Sequence, residues 1–325
     1  MNIGLVITGG TLDSVQAEFG LHCNASGGLE EFIKSASSDQ DYLTIYASPW
    51  RQDSSQFRFE QILTLSATLM QTQGMDAVLL GVGTDTLAYL APTLWALSRR
   101  FPAPVVLVSG MQPWWMPDSD GAANVRDALV YIRQKPAGVE VVSAGRRLSP
   151  LNLRKFSHIC PDPFRNTISL QAGSLEQVLQ QIPHAAAPQP PMPPELPSSP
   201  VCRDPVVPWL VVHPALTGDL LLRSLSPDTK HVVLSGYSGG TLPHWLLVAI
   251  PSGIEIHVVS QQWGAMCPED YEASSALLGR GIHFWNLAGE TLTSLLAVSV
   301  AFGMDAGETL DWLRAIEKTT LQVTP

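Results

Sequence analysis

Short apolar runs alternate with helical stretches along most of this chain, and that alternation is what most restricts its fold. Asn2–Ile7, residues 76–80, residues 104–108 and Val139–Ser143 are brief and rich in Val, Ile and Leu, as strands buried on both faces are. Between them, residues 60–73, 86–100 and 120–134 carry helical patterns. Strand then helix, repeated, predicts parallel sheets covered on both sides, an α/β fold whose ligands bind at the carboxyl ends of the strands. Strand-like runs return at residues 209–213, 231–235 and 254–260. Helical patterns return at 242–250, 270–280, 290–303 and 306–318.

A change of composition divides the two series. Ten prolines lie between Pro183 and Pro208. Proline has no N–H to give a helix or a sheet, so this stretch reads as an extended spacer rather than a folded element. The expected organisation is a larger N-terminal α/β domain over 1–183, a proline-rich linker over 184–208 and a smaller C-terminal α/β domain over 209–325. Both domains are expected to be built on parallel sheets.

Of the 325 residues 45% are hydrophobic and only 15% charged, enough to fill a sizeable core. A net charge of -10 argues against a nucleic-acid partner, which needs a basic face. The four cysteines, Cys23, Cys160, Cys202 and Cys267, are scattered and form no CxxC pair, so neither a zinc site nor a disulfide framework is expected. Met1 leads straight into the first strand without a basic segment or a long apolar run, and no run is long enough to span a bilayer. The expectation is a cytoplasmic protein with no membrane partner.

Four loops carry reactive side chains. Thr8-Gly9-Gly10-Thr11 follows the first strand, and its glycines let the backbone turn sharply and approach a ligand. Gly83-Thr84-Asp85-Thr86 follows the second, placing a hydroxyl beside a carboxylate. Asp53-Ser54-Ser55-Gln56 precedes a helix, where hydroxyls and free N–H groups suit a carboxylate ligand. The fourth is Asn152-Leu153-Arg154-Lys155. Each alone is compatible with turn and cap chemistry, and a lone lysine with a solvated charge.

Together, in this order and spacing, these loops resemble the bacterial-type L-asparaginases. The family's Thr-Gly-Gly-Thr loop is matched by Thr8 to Thr11, and its Gly-Thr-Asp-Thr loop by Gly83 to Thr86. Its substrate-binding serine loop is matched by Asp53, Ser54 and Ser55 in a form similar to the cytoplasmic branch. Met111, Pro113, Asp120, Gly121 and Asn124 fit the segment after the second threonine loop. Lys155 precedes Phe164 by nine residues, as the family's lysine precedes a phenylalanine, and Ser238-Gly239-Gly240 and Ser260-Gln261 continue the likeness.

The resemblance implies hydrolysis of the side-chain amide of L-asparagine by two-step acyl transfer, with no cofactor and no metal. Thr11 is then the nucleophile, and Thr84, Asp85 and Lys155 form the second catalytic set. Asp85 holds the substrate's α-ammonium, and Asp53, Ser54 and Ser55 surround its α-carboxylate. A homodimer or dimer of dimers is implied as well. Two other readings are a glutaminase or hydrolase of another small amide, and a non-catalytic amino-acid sensor that retains the pocket. Lys155 argues against a sensor, which has no use for it.

Four departures stand out. Val82 occupies a place where the family has histidine or another residue. Trp114 and Trp115 occupy a place where it has small or polar residues. Gln262 follows Gln261 where the cytoplasmic branch has an effector-pocket cysteine. No tyrosine lies between Thr11 and Tyr42, although the family's lid tyrosine contacts the nucleophile. Phe19 or Leu21 stands nearest that position, and neither has a hydroxyl. Ser14, Glu18 and His22 are the polar alternatives, with Glu18 foremost because a carboxylate can accept a proton. Losing a positioned acid–base partner costs about 10²–10⁴ in rate. Phe19→Tyr is therefore expected to raise asparagine turnover at least about tenfold and Glu18→Ala to lower it. An ammonia-release assay in which both variants match the parent removes the lid from the mechanism.

Overall fold

The computed structural model describes residues 1–18, 20–23, 27–166, 192–243, 245–246, 249–262, 266, 268, 277 and 281–321. The lid position Phe19, most of the expected helix at 270–280 and residues 184–191 of the linker lie outside them. The described chain forms two compact units, residues 1–166 with 192–196, and residues 197–321.

The first unit is built on a six-stranded sheet in the order β4-β1-β5-β6-β7-β8. Its strands are β1 (Asn2–Ile7), β4 (Tyr42–Ile45), β5 (Ala77–Gly81), β6 (Val105–Val108), β7 (Val139–Ser143) and β8 (Arg146–Leu148). All neighbours pair in parallel except β7 and β8. The apolar runs read as strands are β1, β5, β6 and β7, and their residues are almost all fully buried. That continuous apolarity is the mark of a sheet covered on both faces. β7 turns into β8 through Ala144 (φ 50°) and Gly145 (φ 70°), a two-residue loop with both central residues left-handed.

Helices α1 (Gly28–Ala36), α2 (Phe59–Leu69), α3 (Leu87–Leu97) and α4 (Asp120–Ile132) connect the strands. Sequence patterning locates α2, α3 and α4 to within a few residues. It misses α1 and the half-exposed edge strand β4, where Tyr42 and Ile45 face solvent. α4 begins where Ser119 caps Ala122 N–H and Asp120 accepts the Met111 and Gln112 N–H groups, both at 2.8 Å. The buried side chain of Asn124 then donates to Ser109 C=O and accepts from Ala144 N–H, each at 2.8 Å, tying together the carboxyl ends of β6 and β7.

Two antiparallel hairpins complete this unit. One joins β2 (Ser14–Ala17) to β3 (Gly20–Cys23), and the other joins β9 (Leu153–Lys155) to β10 (Phe164–Asn166). Beyond it, residues 193–196 run beside the end of α3. Arg99 meets Glu195 at 3.0 Å, and Arg100 donates to Leu196 C=O at 3.1 Å. Among the described residues no helix is long and apolar enough to cross a membrane.

The second unit carries a parallel sheet of β11 (Trp209–Val211), β12 (His231–Gly236), β13 (Glu255–Ser260) and β14 (Ile282–Phe284), in that order. Among the described residues its helices are α5 (Gly218–Ser224), α6 (Gly289–Ala301) and α7 (Ala306–Leu321). Three histidines from adjacent strands line one side of this sheet. Trp285 Nε1 donates to His257 Nδ1 at 3.0 Å, which leaves His257 Nε2 to donate to His231 Nδ1, also at 3.0 Å. His283 pairs with Glu255 at 2.8 Å.

Neither His257 nor His231 is more than 2% exposed. Burial lowers the pKa of His231 to about 4, and that of His257 well below its usual value; Lys230, His283 and Arg314 act in the same direction, and Glu255 opposes. A second proton on His257 would point at the Trp285 N–H. Because these folded-state pKa values lie below the unfolded ones, the histidines contribute stability that is complete above pH 6.5 and lost as pH falls, for His231 towards about 4. For His231 this amounts to at most about 1.4 kcal/mol per pH unit in that window. Calorimetric melting is expected to show Tm falling between pH 6.5 and 4.5, and His231→Gln/His257→Gln to be less stable at pH 7 but flatter across that window.

Candidate active site

The sheet order places β1 between β4 and β5. The chain leaves β1 for one side, reaches β4, and returns through α2 to β5 on the other side. Such a reversal opens a crevice at the carboxyl ends of the strands concerned. The loops Thr8 to Thr11 and Val82 to Thr86 emerge there.

The loops meet at their glycines. A Cβ on Gly10 (φ 80°) would lie 2.2 Å from the Cα of Gly83, and one on Gly83 would lie 2.4 Å from the Oγ of Ser54. Three segments distant in sequence therefore touch at a point where side chains do not fit. Backbone bonds hold them: Thr8 N–H to Gly81 C=O at 2.9 Å, Gln52 N–H to Thr8 C=O at 3.0 Å, and Gly10 N–H to Gln52 C=O at 3.0 Å.

Thr11 is half-buried at the start of a single 3-10 turn, Thr11–Asp13, closed by the Asp13 N–H on Gly10 C=O at 3.1 Å. Ser54 is 3% exposed and begins another, Ser54–Gln56, for which Asp53 is the cap, accepting Ser55 N–H at 2.8 Å. Asp53 and Ser55 are exposed. Thr84 is buried and Asp85 is exposed beside it. Lys155 reaches both: its Nζ lies 2.8 Å from Thr84 Oγ1 and 2.7 Å from Asp85 Oδ1, with the side chain 19% exposed.

The nine-residue interval from Lys155 to Phe164 has a geometric meaning. The two residues are directly opposed across the β9–β10 hairpin. Opposed residues project from the same face, so fully buried Phe164 sits beside the lysine stem. Asn166 braces the hairpin, donating to Ser149 and Leu151 C=O at 2.9 Å each.

Several contributors carried no sequence signal. Arg51 contacts Asp13 at 2.9 Å and Glu30 at 2.7 Å. Asp13 is 2% exposed, and burial pushes its carboxyl up to about 6 against the opposing pull of Arg51, with Glu30 adding to the rise. Cys23 Sγ accepts the Gly10 N–H at 3.1 Å, and burial raises its pKa, keeping it a thiol. The two tryptophans brace the chain after Thr11. Trp114 N–H donates to Leu12 C=O at 3.1 Å while its ring stacks on Phe32, and Trp115 Nε1 donates to Ser14 C=O at 2.7 Å.

Of the lid candidates, Glu18 is exposed at the tip of the β2–β3 hairpin, and His22 is exposed on β3. Ser14 is turned inward, its hydroxyl donating to Gly10 C=O at 2.9 Å. Chemically, this arrangement offers a hydroxyl on a rigid turn, a second hydroxyl paired with an ammonium, and a carboxylate open to solvent.

Comparison with known proteins adds a family to this geometry. Residues 2–185 match the model described as "Asparaginase, N-terminal". An L-asparaginase of Thermococcus kodakarensis is 30% identical over 267 residues, covering 75% of this chain and 73% of that protein. Structural superposition on the thermostable L-asparaginase of the same organism covers 100% of both chains with a TM-score of 0.76 and 20% identity. A probable cytoplasmic L-asparaginase from Campylobacter jejuni superposes over 96% of this chain and 99% of its own, with a TM-score of 0.75 and 18% identity.

The glycine contact can be tested separately from backbone strain. Gly20 (φ 105°) has no atom within 4 Å of a built Cβ, whereas Gly10 meets backbone. Both Ala substitutions place a Cβ at positive φ, at a strain of about 1–3 kcal/mol. Gly10→Ala is expected to cost about 2 kcal/mol more, from overpacking, in denaturant unfolding. Equal losses at the two positions would mean that the loops are not held in contact.

Proposed function

The chain belongs to the asparaginase family, and from that premise we propose that it hydrolyses the side-chain amide of L-asparagine to L-aspartate and ammonia through a threonine acyl-enzyme. The observation that carries this reading is Lys155 Nζ within hydrogen-bond distance of both Thr84 Oγ1 and Asp85 Oδ1, in the unit that also carries Thr11 and Ser54.

A threonine hydroxyl is a weak nucleophile at neutral pH and needs a neighbouring proton acceptor. Thr11 Oγ1 attacks the amide carbon, and the carbonyl oxygen takes up negative charge. We assign its stabilisation to backbone N–H groups of the two glycine loops, each such preorganised donor being worth about 3 kcal/mol. The C–N bond then breaks and ammonia leaves with the proton from Thr11, relayed by the Thr84 hydroxyl that Lys155 polarises. Water attacks the resulting ester, returns a proton to Thr11 and releases aspartate. Asp85 exchanges part of its contact with Lys155 for the substrate's α-ammonium. Ser54, with Asp53 and Ser55 around it, receives the α-carboxylate. Anchoring both ends of a small zwitterion fixes the amide against the nucleophile.

The cytoplasm and a homodimer or dimer of dimers belong to the same reading. So does the absence of a metal from the chemistry: hydroxyls, the Lys155–Asp85 pair and backbone N–H groups account for the protons and charges in the scheme.

Ammonia release with asparagine and glutamine as substrates decides between the two amides. Thr11→Ala and Thr84→Ala are each expected to lower turnover about 10³-fold or more with the fold intact by circular dichroism. Lys155→Met is expected to lose turnover but keep calorimetric substrate binding, and Asp85→Ala to weaken binding too. A Thr11→Ala enzyme as fast as the parent would rule out the mechanism. Substrate binding without ammonia release in the parent would make the protein a sensor.

A further inference from the structure

The turn that carries Thr11 is anchored at both ends to two consecutive residues. At its start, Gly10 N–H donates to the backbone carbonyl of Gln52. At its end, the carboxylate of Asp13 receives the guanidinium of Arg51, with Oδ2 2.9 Å from both Nε and Nη2. Arg51 and Gln52 lead directly into Asp53 and Ser54. The remaining edge of the guanidinium is taken by Glu30 of α1, Nη1 to Oε1 at 2.7 Å and Nη2 to Oε2 at 3.1 Å. Arg51 is thus a planar clamp with one rigid face on the Thr11 turn and another on a helix.

We propose that Asp13 is a positioning residue for the amidase reaction: its carboxylate, through Arg51, fixes the Thr11 hydroxyl at a set distance from the segment that anchors the substrate. The proposal rests on Thr11 as nucleophile and Ser54 as carboxylate anchor. A buried carboxylate beside one acidic neighbour and one arginine is costly unless it pairs closely. Here the cost sits directly behind the nucleophile, where a displacement of about 1 Å is worth up to about 10² in rate.

The groups that face Asp13 are Arg51 from the segment after β4, Glu30 from α1 and the Cys23 thiol from β3. Only the ionised carboxyl grips Arg51 fully, and burial holds its titration near 6. The clamp is therefore engaged above about pH 6 and released as pH falls through it. Glu30 helps to raise that value, so removing its charge makes Asp13 more acidic.

The test is the pH profile of kcat and KM between pH 4.5 and 8.5 on the amide the enzyme hydrolyses fastest. The parent, Asp13→Asn, Glu30→Gln and Thr11→Ala are compared. The parent is expected to lose kcat below about pH 6. Glu30→Gln should move that limb to lower pH while keeping KM within about threefold. Asp13→Asn should lower kcat about tenfold at pH 8, leave KM within about threefold and abolish the limb. A merely structural role would lower Tm and leave the limb in place. An unmoved limb in Glu30→Gln overturns the proposal even where Asp13→Asn fails to fold. So does a parental kcat and limb in Asp13→Asn. If Thr11→Ala is inactive while the limb stays fixed, only the role of Asp13 falls. If Thr11→Ala is active, or no amide yields ammonia, the amidase reading falls with it.

Discussion

Gly10 and Gly83 approach so closely that neither tolerates a Cβ, and the candidate site is arranged around that contact. Parallel strands of one sheet stand about 4.8 Å apart, and side chains at their ends would normally splay the loops that follow. Removing the side chains lets the turns after β1 and β5 close onto each other and onto Ser54. Three backbone hydrogen bonds among residues 8–10, 52 and 81 then hold the assembly without any side chain. The Thr11 and Thr84 hydroxyls need no long flexible support, because each sits one residue beyond a glycine locked in place.

Around this contact lie two ionic clamps of different character. Lys155 joins Thr84 to Asp85 from a short hairpin whose register sets buried Phe164 opposite the lysine. It is partly open to solvent. The Arg51 clamp lies deeper and ties the Thr11 turn to α1. A planar guanidinium holds two carboxylates in fixed directions, which an ammonium on a flexible stem cannot do. The same division appears between the units: the first concentrates charged side chains behind loops, whereas the second buries uncharged histidines within its sheet.

Trp114 and Trp115 support the Thr11 turn in a chain that has no tyrosine between Thr11 and Tyr42. Their N–H groups take the carbonyls of Leu12 and Ser14, and stacking on Phe32 fixes Trp114 against α1. This is a backbone support, and it supplies no hydroxyl to the reaction. Of the departures from the family pattern, Trp114, Trp115 and the missing tyrosine all bear on the chain just past Thr11.

The sequence by itself determined the alternation of strand and helix, the parallel character of both sheets and the loops that carry hydroxyls and carboxylates. Those features are local: apolar runs of four to six residues, helical periodicity and glycines at strand ends are all written in neighbouring positions. The edge strand β4, the short hairpins and α1 escaped notice, because a half-exposed strand or a three-residue ladder has too few apolar residues to show a period. Only the tertiary structure decided that Arg51 meets Asp13 and Glu30, that Gly10 touches Gly83, and that His231, His257 and Trp285 form one hydrogen-bonded row. These contacts join residues from about 20 to more than 70 positions apart, and nothing in the spacing of an arginine or a histidine states which distant partner the sheet order will bring to it.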